Sequence, residues 1–288
     1  MNKTPKISII LPTYNRGSTL KECLDSVINQ SYTNWELIIL DDCSTDNTVD
    51  VIRSYAQQNL QIKGVSHPSN LGLPHSRNVG IRIADGDLIF FIEDDLVLHP
   101  TCIERLISTY TALKQQGRKV IIVPRLIEKI DQNNIAVKKN VPFFIHKMTG
   151  EIFTNYSKDF GGVFKVEIGH SCCLYPTAQL RVVGGYAEVY KGNYYREESD
   201  LNMRLIKNGY QFYFQSAAVA NHNKIGNGGC RQFGQLRPTY YCARNHIVFL
   251  LKNFGAKSVY MIPCFLLQLT YRTIVRRFRF TSNFFHFA

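Results

Sequence analysis

Short apolar runs that break off abruptly at polar residues recur along the first third of the chain. "KISIILPTYN" (6–15) and "WELIILDDCS" (35–44) are β-branched stretches that end in polar or turn residues, as strands buried on both faces of a parallel sheet do. Between them, "STLKECLDSVINQSY" sets Leu20, Cys23, Leu24, Val27 and Ile28 at helical spacing behind Ser18, which is placed to cap the helix. Strand, helix and strand in that order make a βαβ unit. "STDNTVDVIRSYAQQ" predicts a second helix, "LPHSRNVGIRIADG" a third that stops at Gly86, and "DLIFFIEDD" the next strand. The repetition predicts a doubly wound, mostly parallel α/β sheet, whose ligands sit outside the carboxyl ends of its strands. The polar ends "PTYN", "DDCS" and "EDD" therefore converge on one rim.

Beyond residue 100 the pattern is less regular. "KVIIVPRLI" (119–127) reads as a further strand, and the stretch from 133 to 167 as loops or short strands. "ESDLNMRLIKNGYQ" is amphipathic, with Leu201, Leu205 and Ile206 on one side and Gly209 where the helix ends. "YQFYFQSAAVANH" alternates as a strand does. No internal repeat or low-complexity linker interrupts the chain.

The 288 residues suffice for one large α/β domain, or for a domain with a sizeable appendage. The N-terminal stretch has no small-residue cleavage site after its brief apolar run, so the mature chain is expected to begin near Met1 and to fold in the cytosol. The eight cysteines are scattered without a CxxC pair, and read as reduced thiols. Charge changes the picture more. The formal net charge is +12, yet every acid lies at or before Asp200, leaving 12 basic residues and no acid in 201–288. Such asymmetry points to a surface that meets something anionic: nucleic acid, phospholipid or a phosphorylated substrate.

"FFIEDDLVL" (90–98) poses the chemical question, because Glu93, Asp94 and Asp95 repel one another at the end of an apolar strand. Hard oxygen ligands at the carboxyl edge of a sheet suit Mg²⁺ or Mn²⁺, which keeps waters and takes its remaining ligands from phosphates. A lone acidic cluster is often a solvated turn; two other polar strand ends on the same rim argue against that here.

At this point the sequence resembles the family 2 glycosyltransferases, inverting enzymes of the GT-A fold, from about Ile7 to Gly255. The motifs fall in the family's order: "PTYNR" (12–16), "DDCSTDNT" (41–48), "NLGLPHSRNVGI" (70–81), "EDD" (93–95), "EESDLNMRL" (197–205) and His222. Each alone is weak, and together they are specific. "YYCARNHIVFLLKNFG" (240–255) is similar to the tail of rhamnosyltransferase-type members.

The resemblance implies a nucleotide-diphosphate sugar donor, a glycan or lipid-linked acceptor, and Mg²⁺ or Mn²⁺ as cofactor. It places Glu93 and Asp95 at the outer positions of the DxD-like metal motif, with His222 as a metal or diphosphate ligand. Glu93 departs from the usual Asp, and its extra length suits contact through water or with the donor ribose. Pro12, Thr13, Tyr14 and Asn15 correspond to the segment around the base. Asp42, with Asp41 as the alternative, is expected to accept from the base's N–H. Arg77 and Asp94 fall on the donor side. Lys224 and Arg231, in "KIGNGGCR", are expected to close over the diphosphate. The catalytic base corresponds to Glu198, with Glu197 and Asp200 as alternatives.

Residues 1–255 are thus read as the glycosyltransferase domain, 1–100 binding nucleotide and 101–255 binding acceptor, and 256–288 as a basic, aromatic segment. "VYMIPCFLLQLTY" (259–271) is short for a bilayer span and holds Pro263. Arg272, Arg276, Arg277 and Arg279 follow it among Phe278, Phe280, Phe284 and Phe285, a pattern that suits peripheral contact with the cytoplasmic face of an anionic membrane. A helix packed on the domain is the competing reading. A nucleotidyltransferase is the alternative function; "LPTYNRG" is too short and glycine-poor for its phosphate loop. Nucleic-acid binding leaves the carboxylate rim unexplained and is not expected.

Overall fold

The computed structural model describes residues 4–128, 141–223 and 236–282, the side chains of 236–238 and 275–282 excepted. The expectations for 133–140, Lys224, Arg231 and the arginines and phenylalanines beyond 275 lie outside the described residues. The first half is built from β1 (Ile7–Thr13), α1 (Leu20–Ile28), β2 (Trp35–Asp41), α2 (Thr48–Gln58), β3 (Ile62–Ser66), α3 (Leu73–Ile83) and β4 (Leu88–Phe91). There follow β5 (Leu96–Leu98), α4 (Cys102–Gln115), β6 (Val120–Glu128), β7 (Phe143–Ile145), β8 (Ile152–Thr154) and β9 (Val163–Val166). The remainder is β10 (Leu174–Pro176), α5 (Thr177–Val182), α6 (Glu197–Lys207), β11 (Gln211–His222), α7 (Leu236–Phe254) and α8 (Ser258–Ser282).

The main sheet runs β3-β2-β1-β4-β10-β6-β11-β5, with β9 paired to β11. Its β3-β2-β1-β4 half is parallel, as is the β6–β11 pair. The three-residue β10 enters reversed between β4 and β6, and β5 and β9 run antiparallel to β11, so the sheet is mixed and mostly parallel, as expected.

Helices cover both faces, and this is why the strands are largely apolar; the buried exceptions inside β1 and β2, Ser8 and Glu36, bond to each other at 2.6 Å. Ile7, Ile9 and Leu11 of β1 face Leu20, Leu24 and Val27 of α1 in one core, while Ile10 of the same strand joins Ile81 of α3 and Leu201 and Leu205 of α6 in the other. Each such side chain, fully buried, contributes roughly 1.5–3 kcal/mol. Residues 7 to 13 are therefore buried without exception.

The ends of the elements differ from the expectation in places. Thr19, not Ser18, is the residue before α1, and it makes no side-chain cap; the backbone carbonyl of Arg16 instead accepts the amides of Thr19 and Leu20, both at 2.9 Å. α3 ends at Ile83, short of Gly86. Gly86 serves a close approach: a Cβ there would lie 2.5 Å from the backbone nitrogen of Ser8. Gly209 does end α6, at φ +83°, a left-handed conformation that favours glycine.

The C-terminal helices form a third apolar cluster in which Tyr190 meets Phe249 and Leu250 of α7 and Met261 of α8. α8 thus packs on the domain through one face, as the competing reading had it, and Arg272 is tied to Glu151 at 2.7 Å. Its other face is apolar and open, with Val259 77%, Leu267 71% and Tyr271 67% exposed. No helix among the described residues is long and apolar enough to cross a membrane.

Candidate active site

The carboxyl ends of β1, β2 and β4 open into a cleft of about 610 Å³, whose far wall is the N-terminus of α6 and the β7–β8 hairpin. That size suits a ligand of nucleotide-sugar dimensions. Pro12, Thr13, Tyr14, Asp42, Arg77 and Asp94 line it, together with Glu93, Asp95 and Glu198. Asn15 instead ties two loops together: its side-chain oxygen accepts the amide of Thr45 and its own amide donates to Ser44 Oγ, both at 2.8 Å. It does so at φ 52°, which Asn tolerates better than most residues.

The two aspartates after β2 separate cleanly. Asp41 accepts the Ser44 amide and closes its own turn. Asp42 faces the cleft and receives the amides of Leu71 and Gly72, one on each oxygen, at 2.8 Å. Asp42 therefore orders the loop before α3 while lining the expected nucleoside side.

The three carboxylates after β4 point different ways. Asp94 turns inward, accepting from Thr13 Oγ1 at 2.8 Å and lying 3.3 Å from Arg16 Nε. Burial pushes its pKa up to about 7, against the pull of Arg16 and Thr13. Glu93 and Asp95 flank it and face His222, the last residue of β11. The ligand atoms of Glu93, Asp95 and His222 all lie within 4.8 Å of one another. His222 Nε2 is buried and lacks a hydrogen-bond partner, although Asp95 Oδ1 is 3.2 Å and Glu93 Oε2 3.7 Å away. Two carboxylates and an orphaned imidazole nitrogen are a donor set that fits a divalent cation.

Arg77 is 1% exposed because the buried stripe of α3 runs through Ser76, Arg77, Gly80 and Ile81. Its guanidinium pairs with Glu197, approaches Glu93 at 3.6 Å and lies over the Tyr186 ring at 5.1 Å. Burial works to raise the pKa of Glu197, and Arg77 opposes it. The arginine therefore bridges the strand-end cluster and the first turn of α6, which sequence reasoning had not anticipated.

That first turn holds three acids, where the helix dipole favours negative charge. Glu197 is paired with Arg77. Asp200 is fully buried and joins α6 to α7, accepting from Arg204 Nε at 3.0 Å and from Asn253 Nδ2 at 2.9 Å, with Lys252 at 3.5 Å. Glu198 alone of the three is half-buried at the cleft wall, where it accepts from Ser199 Oγ at 3.1 Å.

Several contributing residues were not foreseen. Ser171, in the turn before β10, donates to Glu93 Oε1 at 2.7 Å. His170 beside it is neutral: burial lowers its pKa to about 4, its Nε2–H donates to the Pro124 carbonyl, and Nδ1 accepts the Cys172 amide. Arg16 stood inside a quoted motif without a role. Glu128, one residue past the expected strand end, accepts from His222 Nδ1 at 3.2 Å and from Tyr156 OH at 2.7 Å.

A doubly wound sheet with a carboxylate cluster at its switch point and an acidic helix start across the cleft is the architecture of GT-A glycosyltransferases. The model of Glycosyl transferase family 2 matches residues 8–173, more than half of the chain, and the chain belongs to that family. The uncharacterized glycosyltransferase YibD of Escherichia coli K12 is 38% identical over 108 residues, which are 38% of this chain and 31% of that protein. The chain spans 38% and 36% of two further curated glycosyltransferases, so it matches only about a third of its relatives' lengths. Among solved structures, S. aureus TarS 1–349 in complex with UDP-GlcNAc superposes with TM-score 0.61 at 19% identity, covering 91% of this chain and 71% of that one. Mannosyltransferase PcManGT from Pyrobaculum calidifontis, in complex with GDP-Man and Mn²⁺, gives 0.59 at 16% identity, covering 93% and 70%. At these identities the likeness is one of fold.

Proposed function

We infer that this glycosyltransferase moves a hexosyl or deoxyhexosyl group from a nucleotide-diphosphate sugar to an acceptor hydroxyl with inversion, in the assembly of a polysaccharide or cell-surface glycan. The observation that carries this reading is that Glu198, free of the pairing that engages Glu197 and Asp200, shares one cleft with Glu93 and Asp95. The donor lies along Pro12 to Tyr14 and Asp42, with its diphosphate toward Glu93, Asp95 and His222. Those three residues hold Mg²⁺ or Mn²⁺, which when bound offsets the charge that grows on the departing nucleoside diphosphate. Glu198 takes the proton of the acceptor hydroxyl as that oxygen attacks the anomeric carbon from the face opposite the leaving group. The bond to the diphosphate breaks as the new glycosidic bond forms, and configuration inverts. Residues 1–100 serve nucleotide and 101–255 serve acceptor in this scheme. A panel of nucleotide sugars, each with Mn²⁺ and with Mg²⁺, tests it by thermal shift and by hydrolysis without acceptor. One or more donors should stabilise the chain in a cation-dependent way; a chain indifferent to every donor and both ions refutes it.

The open face of α8 gives this reading a place to work. Val259, Leu267, Tyr271 and Ile274 are exposed on a helix in the acid-free third of the chain, which suits contact with an anionic membrane carrying a lipid-linked acceptor. Each basic residue near such a surface contributes about 1 kcal/mol. Met261 and Phe265 face the domain, so truncation would uncover Phe249 and Leu250; point changes on the open face are the cleaner probe. Leu267→Glu together with Ile274→Glu should abolish sedimentation with phosphatidylglycerol vesicles at about 0.15 M salt while leaving the melting temperature unchanged. Equal sedimentation of both proteins returns this face to solvent.

A further inference from the structure

His222 presents one nitrogen to Asp95 and Glu93, and what fixes the ring lies behind it. β6 and β11 are parallel neighbours, and in their register His222 stands directly beside Glu128. Glu128 Oε1 is 3.2 Å from His222 Nδ1, and because a carboxylate oxygen can only accept, Nδ1 carries the hydrogen of that bond. The same oxygen accepts from Tyr156 OH at 2.7 Å. Burial and the neighbouring Glu128 raise the phenol's pKa far above the working range, so it remains a donor. Tyr156 is itself held edge-on by the ring of His170, at 5.5 Å between centroids, and packs at a tilt against that of Phe143, at 5.9 Å. Three residues, from the turn after β8, from β6 and from β11, thus form a relay, Tyr156 to Glu128 to His222, that ends at the candidate cation site.

We propose that Glu128 and Tyr156 are positioning residues of that site: Glu128 keeps the hydrogen on His222 Nδ1, which leaves the Nε2 lone pair directed at the cation, and Tyr156 fixes Glu128. This rests on the reading of Glu93, Asp95 and His222 as cation ligands. An imidazole bound through one nitrogen is oriented by the hydrogen bond at the other, and loss of such an outer partner typically weakens metal binding about 10- to 100-fold. Glu128 acts here through its geometry as an acceptor, because both donors meet one oxygen. A glutamine could present its carbonyl oxygen to both donors in the same way.

Mn²⁺ titrated into the full chain, alone and with UDP or GDP, and followed by the electron paramagnetic resonance signal of free Mn²⁺, reads binding without any need for turnover. Glu128→Ala should weaken Mn²⁺ binding by about 10- to 100-fold and Tyr156→Phe by a smaller factor, about 3- to 10-fold. Glu128→Gln should stay within about threefold of the unaltered chain, since it keeps the acceptor. Unaltered affinity in both Glu128→Ala and Tyr156→Phe overturns the proposal and leaves the cation reading standing. Equal losses in Glu128→Gln and Glu128→Ala also overturn it, because the charge of Glu128 and not its position would then be what matters. If Glu128→Ala fails to fold, Tyr156→Phe, which removes a single oxygen, decides alone. A chain that binds no Mn²⁺ under any of these conditions refutes the cation reading itself, and this proposal with it.

Discussion

Asp95→Asn should reduce sugar transfer by about 100-fold or more, on the scale lost when charge stabilisation at a reacting centre is removed, without unfolding the chain. The side chain is 7% exposed and the substitution keeps its shape. The backbone carbonyl of Asp95, which accepts the Asn223 amide at 2.8 Å, is untouched. In the ion-free protein the change has two opposed effects. It removes the partner 3.2 Å from His222 Nε2, and it relieves the repulsion among Glu93, Asp94 and Asp95, which adds to the burial that raises the pKa of Asp94. These contributions oppose each other, so the ion-free melting temperature should move by no more than about 4 °C, the shift that corresponds to roughly 1 kcal/mol in a domain of this kind. The response to cation should change far more. A ligand bound only by the folded chain stabilises it by RT ln(1 + [L]/Kd), about 2.7 kcal/mol at a hundredfold excess over Kd. Asp95→Asn should lose most of that increment. Calorimetry with and without Mn²⁺ in the presence of donor separates the cases: an undiminished Mn²⁺ increment in the variant, or undiminished turnover, sinks the assignment of Asp95.

The first hundred residues were foretold well because their physics is local. A strand covered by helices on both faces must be largely apolar, so β1, β2 and β4 announced themselves as apolar runs interrupted internally only at Ser8 and Glu36, and the polar residues that ended them had to sit at the sheet's rim. The roles expected of Glu198, Asp95 and His222 came from the resemblance of their motifs to the family, not from this pattern. The position of Arg77 was also readable in principle, since Ser76, Arg77, Gly80 and Ile81 repeat at helical spacing along the core-facing stripe; its donor-side expectation came from resemblance, which does not report which carboxylates surround it. What stayed hidden depends on contacts between distant segments. β10 has three residues and pairs antiparallel between two strands far from it in sequence, so no periodicity betrays it. Glu128 meets His222 across 94 positions through the register of β6 with β11, and the bulge between Gln215 and Val219 alters that register midway. A single sequence holds no measure of such register. Even so, an acid at the end of an apolar strand had marked the rim at Glu93, and the same sign stands at Glu128.

The acids of α6 give the sharpest contrast between chemistry and architecture within one helical turn. Glu198→Gln should lower transfer by about 100- to 10,000-fold, the range that a positioned base contributes, and leave nucleotide affinity and thermal stability nearly unchanged. Among the described residues its carboxylate accepts from the neighbouring Ser199 hydroxyl, and a glutamine oxygen can take that bond. Asp200→Asn should do the reverse. Asp200 is fully buried among Arg204, Lys252 and Asn253, and neutralising it leaves two cations without their counter-ion at the joint between α6 and α7. Arg204 and Lys252 are themselves partly exposed, so the loss is smaller than that of a fully buried pair, about 3–5 kcal/mol, and this variant should still unfold below the unaltered chain. Any folded fraction should transfer sugar at a rate close to normal, since Asp200 faces α7 and Glu198 faces the cleft. Stopped-flow or steady-state transfer, expressed per folded molecule, and equilibrium binding of the nucleoside diphosphate read the two effects apart. If Glu198→Gln keeps its transfer rate while Asp200→Asn loses it without loss of stability, the roles are exchanged and the base is the buried residue. If Glu198→Gln loses nucleotide binding along with transfer, the carboxylate belongs to the donor site, and the inverting scheme needs another base.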